Sequence, residues 1–272
     1  MTIGCSTLGL TMAESPDIRR TLARIKAQGF AACDIAVFEG WQNVDPSSLV
    51  AGNQAWVDAL REGLAATGLQ VSSLNCGLSR HLDDPDPGAV DVQRRELEAL
   101  LDLATSVNCP NITVQPGNPI PGYEFGELSA LTQERLGVLG PAAQDRGVTF
   151  SVEGHQGSLL EDPARALAMM ATLWPTVGFT YDPSHWAMQR IPLPDTRGLL
   201  RYTHHVHVRN AAPDRMQAVA SESSVDWPWL VKALRSANYH GTVTIEYFNG
   251  FDHDFSETLA LRECLVAVGW TA

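Results

Sequence analysis

Thr180-Tyr181-Asp182-Pro183-Ser184-His185-Trp186 is the stretch around which the rest of the chain is organised. Asp182 follows an apolar run, and His185 comes three residues later across a Pro-Ser turn, so two potential metal or substrate groups lie at the end of one predicted strand. Alone, this Asp-x-x-His pattern has little specificity. It gains weight because three other apolar runs also end in a ligand-type residue: Glu153, His207 and Glu246.

The segments on both sides of this stretch repeat one unit, a strand followed by a helix. Helices are indicated by apolar residues at a spacing of three and four and by start signals at Ser15-Pro16, Asp162-Pro163, Asp226 and Ser256. Eight predicted strands alternate with eight predicted helices, and the strands lie at residues 2–8, 31–38, 69–74, 111–115, 149–153, 177–181, 203–207 and 243–246.

This alternation predicts the fold class. Strands that alternate with helices pair in parallel through right-handed crossovers, and eight such units close into a barrel. We therefore predict an α/β fold, a single (β/α)8 TIM barrel that forms one domain over residues 1–272. An open doubly wound sheet is less favoured, because no Gly-x-Gly-x-x-Gly follows the first strand.

Composition limits the classes of partner. The chain has 31 Asp and Glu residues against 19 Lys and Arg, a net charge of -12, which disfavours nucleic acid as a partner. No apolar run approaches the roughly 20 residues that span a bilayer, and the N-terminus lacks the features of a signal peptide. We expect a cytoplasmic protein with no membrane partner. The five cysteines are widely separated and fit reduced, buried thiols.

Four ligand-type residues are predicted to meet at one end of the barrel. Reactive groups of such barrels lie at the carboxyl ends of the strands, and neighbouring strands are about 4.8 Å apart. Three carboxylates and one imidazole favour Mn, Mg or Co over a structural zinc site. Taken singly, each carboxylate could be a strand-end ion pair, Asp182 a helix cap and the imidazole an interior histidine. The set of four is Glu153, Asp182, His207 and Glu246.

Alternate residues of the seventh predicted strand face opposite sides of the sheet, which divides its histidines into two sets. His205, His207 and Arg209 share one face, which we take as the barrel interior, and His204 lies on the other. Arg209 is thereby predicted to lie above the metal site and His205 below it.

The second half of the chain resembles the xylose isomerase-like barrels of the sugar phosphate isomerase/epimerase group. The resemblance rests on Val-Glu-Gly-His at 152–155, Asp-Pro-Ser-His at 182–185, His-Val-His-Val at 205–208, Val-Asp-Trp at 225–227 and Ile-Glu-Tyr at 245–247. It implies one divalent ion, commonly Mn, held by the four residues named above, and a substrate contact from His185. We add His155 as a further substrate contact, because it lies two residues beyond Glu153.

One departure from the family pattern concerns an arginine. Ketose 3-epimerases of this group carry it in His-x-x-Glu-x-x-Arg, whereas this chain places Arg209 and Arg215 after His207. One of these two arginines must serve in substrate binding, which weakens the resemblance to epimerases of free ketoses.

The resemblance implies a metal-dependent isomerase or epimerase of a keto sugar or related polyol. Glu153 and Glu246 would exchange the proton next to the carbonyl, and the ion would stabilise the enediolate. The alternative is a lyase or dehydratase that eliminates a group from a 3-keto sugar, a keto-cyclitol or a sugar conjugate. The expected partner is a carbohydrate, and a homo-oligomer or a partner subunit remains open. A nuclease is disfavoured, because Asp34 and His81 are the only obvious ligands on the early strands.

Overall fold

The computed structural model describes residues 2–13, 17–39 and 44–270 of the chain. Eight parallel strands form a closed barrel in sequence order, with the first strand paired to the eighth. This closure confirms the predicted (β/α)8 barrel and excludes the open doubly wound sheet, while the extension of one domain over residues 1–272 stays a prediction. The strands are β1 Ile3–Ser6, β2 Ala32–Phe38, β3 Gln70–Gly77, β4 Asn111–Val114, β5 Thr149–Glu153, β6 Val177–Tyr181, β7 Thr203–Val208 and β8 Val243–Ile245.

Helices surround the barrel, and three short ones were not predicted. These three, Leu8–Ala13, Pro46–Val50 and Pro183–Met188, follow the carboxyl ends of β1, β2 and β6. Two 3-10 helices span Leu193–Tyr202 and Ala220–Glu222. The α-helices are α1 Leu8–Ala13, α2 Ile18–Ala27, α3 Pro46–Val50, α4 Gln54–Thr67, α5 Ala89–Ser106, α6 Phe125–Asp145, α7 Pro163–Leu173, α8 Pro183–Met188, α9 Trp227–Ser236 and α10 Ser256–Ala267.

Most helices begin directly after a side chain that caps them. Asp162 and Asp226 cap α7 and α9, because their carboxylates accept hydrogen bonds from the first free amides of each helix. The predicted start at Ser15-Pro16 lies outside the described residues. Ser256 is the first residue of α10 and not its cap. There the carboxylate of Asp252 accepts from the amides of Glu257 and Thr258, at 2.9 and 2.7 Å.

Each strand presents one face to the helices and one to the barrel axis. On β2 the outer face carries Cys33, Ile35 and Val37, which are fully buried in the main hydrophobic core. The alternate residues of β2 include Asp34, a buried carboxylate that turns toward the axis. The barrel therefore has an apolar shell under the helices and a polar interior.

Two expectations from composition concern cysteines and membranes. All five cysteines are free thiols, and four of them are buried, in agreement with the expectation. None of the helices in the described part of the chain is long and apolar enough to cross a membrane.

Candidate metal centre and substrate cavity

A cavity of about 250 Å³ lies at the carboxyl ends of the strands. Carboxylates from β5 and β8 line it together with histidines and an arginine, so the charged residues singled out in the sequence face one space. These residues are Glu153, Glu246, His155, His185 and Arg209.

Three of the four predicted ligands form one buried group. His207 Nδ1 lies 2.9 Å from Glu153 Oε1 and 3.8 Å from Glu246 Oε2. Each of the three residues offers a ligand atom, and these atoms lie within 4.8 Å of one another. The four-strand convergence inferred from the sequence therefore brings Glu153, His207 and Glu246 to a single point.

Asp182, the fourth predicted ligand, uses its two carboxylate oxygens for different contacts. Its Oδ1 accepts a hydrogen bond from the amide of Ser184 at 2.8 Å and so caps α8, which is the helix-cap role considered from the sequence. Its Oδ2 pairs with Arg209 Nη2 and lies 3.6 Å from His185 Nε2. Asp182 can share an ion with Glu153 and His185, whose ligand atoms also lie within 4.8 Å of one another.

Arg209 is a fully buried cation among these carboxylates. Its Nη2 pairs with Asp182 and lies 3.1 Å from Glu246 Oε2, while its Nε donates to Ser184 Oγ at 3.0 Å. Arg215 has a different position, since its half-exposed side chain pairs with Glu222 on the surface and does not line the cavity. Of the two arginines considered from the sequence, Arg209 lines the cavity, and a substrate contact from Arg215 stays a prediction.

Two histidines form one wall of the cavity. His155 Nε2 is buried and has no hydrogen-bond partner among the described residues. His185 Nδ1 accepts from the amide of Gln156 at 3.1 Å, and the two rings lie 5.9 Å apart. Burial lowers the pKa of His185 to about 4, so its ring is a neutral hydrogen-bonding group at pH 7.

Burial and neighbouring charges have opposite effects on the pKa values of the titratable side chains in the site. Burial raises the pKa of Glu246 to about 7, and Glu153 and Asp34 add to this effect against the cations of His207 and Arg209. Burial also opposes the charge on Asp182, but Arg209, His185 and the hydrogen bond from Ser184 together outweigh it and lower the pKa of Asp182 to about 2. The pKa of His207 lies well above its usual value, because Glu246 and Glu153 outweigh burial of the ring.

The charge of the site suits a divalent ion. Glu153, Asp182 and Glu246 are buried carboxylates, and Arg209 is a permanent cation that faces them. Metal ligands bind in their deprotonated forms, so an ion would meet three carboxylates and a neutral His207 imidazole, with two negative charges in excess of the charge on Arg209. An isolated buried charge costs many kcal/mol unless it is paired. Carboxylate oxygens and one imidazole nitrogen are suitable donors for such an ion.

Sequence reasoning missed several residues that contact or line this site, and three of them are polar. Asn75 Nδ2 donates to Glu246 Oε1 at 2.6 Å, and Gln115 lines the cavity. Both lie at or next to the carboxyl ends of β3 and β4, so the rule that found Glu153 could have found them too. Asp34 was considered only as a nuclease ligand, yet its Oδ2 lies 2.7 Å from His207 Nε2.

Comparison with known proteins places the chain in a family. A family model described as a xylose isomerase-like TIM barrel matches residues 22–264, and the chain belongs to this family. The comparison of this chain with curated protein sequences found no match.

Several solved structures share the whole fold at low identity. The 3-keto-D-glucoside 4-epimerase YcjR from E. coli has a TM-score of 0.74 at 18% identity, covering 98% of both chains. A D-allulose 3-epimerase from Methylomonas sp., in complex with D-allulose, has a TM-score of 0.77 at 16% identity, covering 97% of this chain and 96% of that one. The IOLI protein with a bound zinc atom has a TM-score of 0.77 at 15% identity, covering 98% of both chains. These likenesses show the fold.

Proposed function

We propose that the chain is a divalent-metal-dependent isomerase or epimerase that acts on a keto sugar or a related polyol. The observation that carries this proposal is that Glu153 and Glu246 line one cavity from β5 and β8. Two carboxylates on strands three positions apart can approach one substrate carbon from different directions. One takes the proton next to the carbonyl and the other returns a proton, which is general base and general acid catalysis.

The surrounding residues hold these two carboxylates in place. Asn75 donates to one oxygen of Glu246, and Arg209 lies beside the other. His207 Nδ1 lies 2.9 Å from Glu153 Oε1, so a shared ion would hold these two ligands together. Such fixed hydrogen bonds restrict the carboxylates to one orientation before substrate arrives.

Glu153, Asp182, His207 and Glu246 would hold the ion, which we propose to be Mn, with Mg and Co as alternatives. When bound, the ion would polarise the substrate carbonyl and stabilise negative charge on the enediolate. Support for an ion comes from the charge excess of the site and from the zinc bound to one structural neighbour. His155 and His185 would contact substrate hydroxyl groups, because the buried Nε2 of His155 has no partner in the described part of the chain.

The cavity favours an uncharged substrate over a sugar phosphate. Among the described residues that line it, Arg209 is the arginine and there is no lysine. Its guanidinium already pairs with Asp182 and Glu246. A phosphate group would therefore meet carboxylates and a compensated cation, and burying it there would be unfavourable.

Solvent-deuterium incorporation tests the proposal. The purified chain, loaded with Mn²⁺, is incubated in D₂O with a panel of unphosphorylated keto sugars and keto-cyclitols, and the products are followed by NMR. We expect deuterium next to the carbonyl together with a change of configuration or of carbonyl position. Loss of water or of an aglycone would assign the chain to the alternative, a lyase or dehydratase, which uses the same proton abstraction.

Thermal unfolding separates the metal from the substrate. A specific ion at 100 times its dissociation constant stabilises the folded state by about 2.7 kcal/mol, so Mn²⁺ or Mg²⁺ should raise the unfolding temperature. No stabilisation by either ion would contradict the metal centre. Metal-dependent stabilisation without exchange into any sugar would point instead to an obligate partner subunit.

A further inference from the structure

His207 has a second buried contact, on the side away from Glu153 and Glu246. Its Nε2 lies 2.7 Å from Asp34 Oδ2, and both side chains are fully buried. The two residues are on β7 and β2, which are not neighbouring strands. The carboxylate therefore reaches the imidazole across the barrel interior.

Small residues occupy the row of the barrel that runs from His207 to β2. The register pairs His207 with Thr244 on β8, Thr244 with Gly4 on β1, and Gly4 with Ala32 on β2. Gly4 has no room for a larger side chain, because a Cβ there would lie 3.0 Å from Thr242 Cγ2 and 3.2 Å from Thr244 Oγ1.

We propose that Asp34 is the positioning residue of the metal centre, which holds His207 by Nε2 so that Nδ1 faces the ion. This inference rests on the proposed metal-dependent function. A neutral imidazole has one protonated and one free nitrogen, and a ligand needs the free one. A carboxylate at Nε2 favours the proton there and leaves Nδ1 free beside Glu153 and Glu246.

Asp34 lies closer to His207 than to the neighbouring interior histidine, His205. Its Oδ2 is 2.7 Å from His207 Nε2, which is hydrogen-bonding distance. His205 Nε2 is more distant, at 3.6 Å from Asp34 Oδ2. His205 is thus a secondary partner, and His207 is the residue that Asp34 orients.

Metal affinity is the first test. Mn²⁺ is titrated by calorimetry into the wild-type chain and into Asp34→Ala and Asp34→Asn. Loss of an outer partner of a ligating histidine weakens metal binding about 10- to 100-fold, and we expect this range for Asp34→Ala. Asp34→Asn keeps the shape of the side chain, so it remains informative if the alanine variant fails to fold. We expect at least a threefold loss for it, because its amide can donate to Nε2 and so favour the wrong tautomer.

The tautomer is read directly in the zinc-loaded protein. Zn²⁺ is diamagnetic, so ¹⁵N-labelled histidine spectra can be recorded. In the wild type we expect the His207 proton on Nε2, with a downfield shift typical of a hydrogen bond to a carboxylate. In Asp34→Asn this signal should move upfield or be lost to exchange. A role of Asp34 in stability alone would not move it in a protein that remains folded.

Two matched variants serve as controls. Asp252→Asn changes another buried aspartate, the one that accepts from the first amides of α10, and should lower stability without changing the dissociation constant for Mn²⁺. His205→Gln removes the secondary partner of Asp34 and should change the constant less than Asp34→Ala does.

The outcomes separate this inference from the proposed function. If wild-type chain binds no Mn²⁺, both fail together. If the wild type binds Mn²⁺ and Asp34→Ala and Asp34→Asn bind it within twofold, the metal centre stands and the role of Asp34 is refuted. If both Asp34 variants bind Mn²⁺ more weakly while Asp252→Asn binds it as the wild type does, the result supports the role of Asp34 in positioning His207.

Discussion

The two ends of the barrel both contain a cavity, and the larger one lies at the end opposite the carboxylates. The cavity at the amino ends of the strands measures about 600 Å³, against about 250 Å³ at the carboxyl ends. None of the described residues that line the larger cavity is Asp, Glu, Lys or Arg. Burial lowers the pKa of both of its histidines, His204 and His205, so they are neutral at pH 7.

The difference shows that the larger cavity is not the one that carries the charged candidate site. At the amino end, Asn111 accepts from Ser151 and donates to Ser73 and Thr113, so these buried polar groups satisfy one another. At the carboxyl end, the buried charges of Asp182, Glu246 and Arg209 crowd together. Neutral polar groups that bond to one another stabilise a fold, whereas crowded buried charges are suited to a ligand.

The largest effect should come from Glu246→Gln at the carboxyl end. The amide cannot take a proton, and general acid-base catalysis typically contributes 10²- to 10⁴-fold. We expect a loss in this range in the rate of deuterium exchange. Glu96→Gln is the control, because Glu96 is equally buried but accepts from the amide of Ser79 outside the cavity. Equal losses in the two variants would mean that Glu246 has no specific role.

A smaller and asymmetric effect should separate Asp182 from His185. Asp182→Asn removes a carboxylate from the metal centre, and we expect metal affinity to fall at least about 10-fold, as it does when a ligand's environment is disturbed. His185→Ala should keep the metal within threefold and lose turnover, because its ring contacts substrate in the proposed site. Calorimetry with Mn²⁺ and the exchange assay measure the two quantities. Equal loss of metal in both variants would show that this division of roles is wrong.

The smallest effect on activity should come from the amino end. Asn111→Ala leaves the Ser151 hydroxyl without its buried acceptor and removes a donor from Ser73, at a cost of about 1–3 kcal/mol in the free energy of unfolding. Activity and the Mn²⁺ dissociation constant should stay within twofold of the wild type. Chemical denaturation and the exchange assay give both values. A loss of turnover comparable to that of His185→Ala would break the contrast between the two ends.

Local pattern accounts for the parts of the site that were predicted. Glu153, His207 and Glu246 lie at or directly after the ends of apolar strands, and the barrel places all such ends on one side. The pairing of Asp34 with His207 was not predicted, because the two are 173 residues apart and meet through the barrel interior. From the sequence, Arg209 and Arg215 were equal alternatives, because the spacing of an arginine after His207 does not tell whether its side chain is buried in the cavity or exposed on the surface.

The sequence by itself determined the barrel and which ligand-type residues lie at the carboxyl ends of its strands, because hydrophobic periodicity and capping side chains act over short distances along the chain. Only the tertiary structure decided how those residues share their charges. In the structure Asp182 both caps α8 and pairs with Arg209. Asn75 donates a hydrogen bond to Glu246, and the ring of His207 lies between Asp34 and Glu153. These contacts depend on the closure of the barrel and on the shape of its interior, which bring together side chains from distant strands.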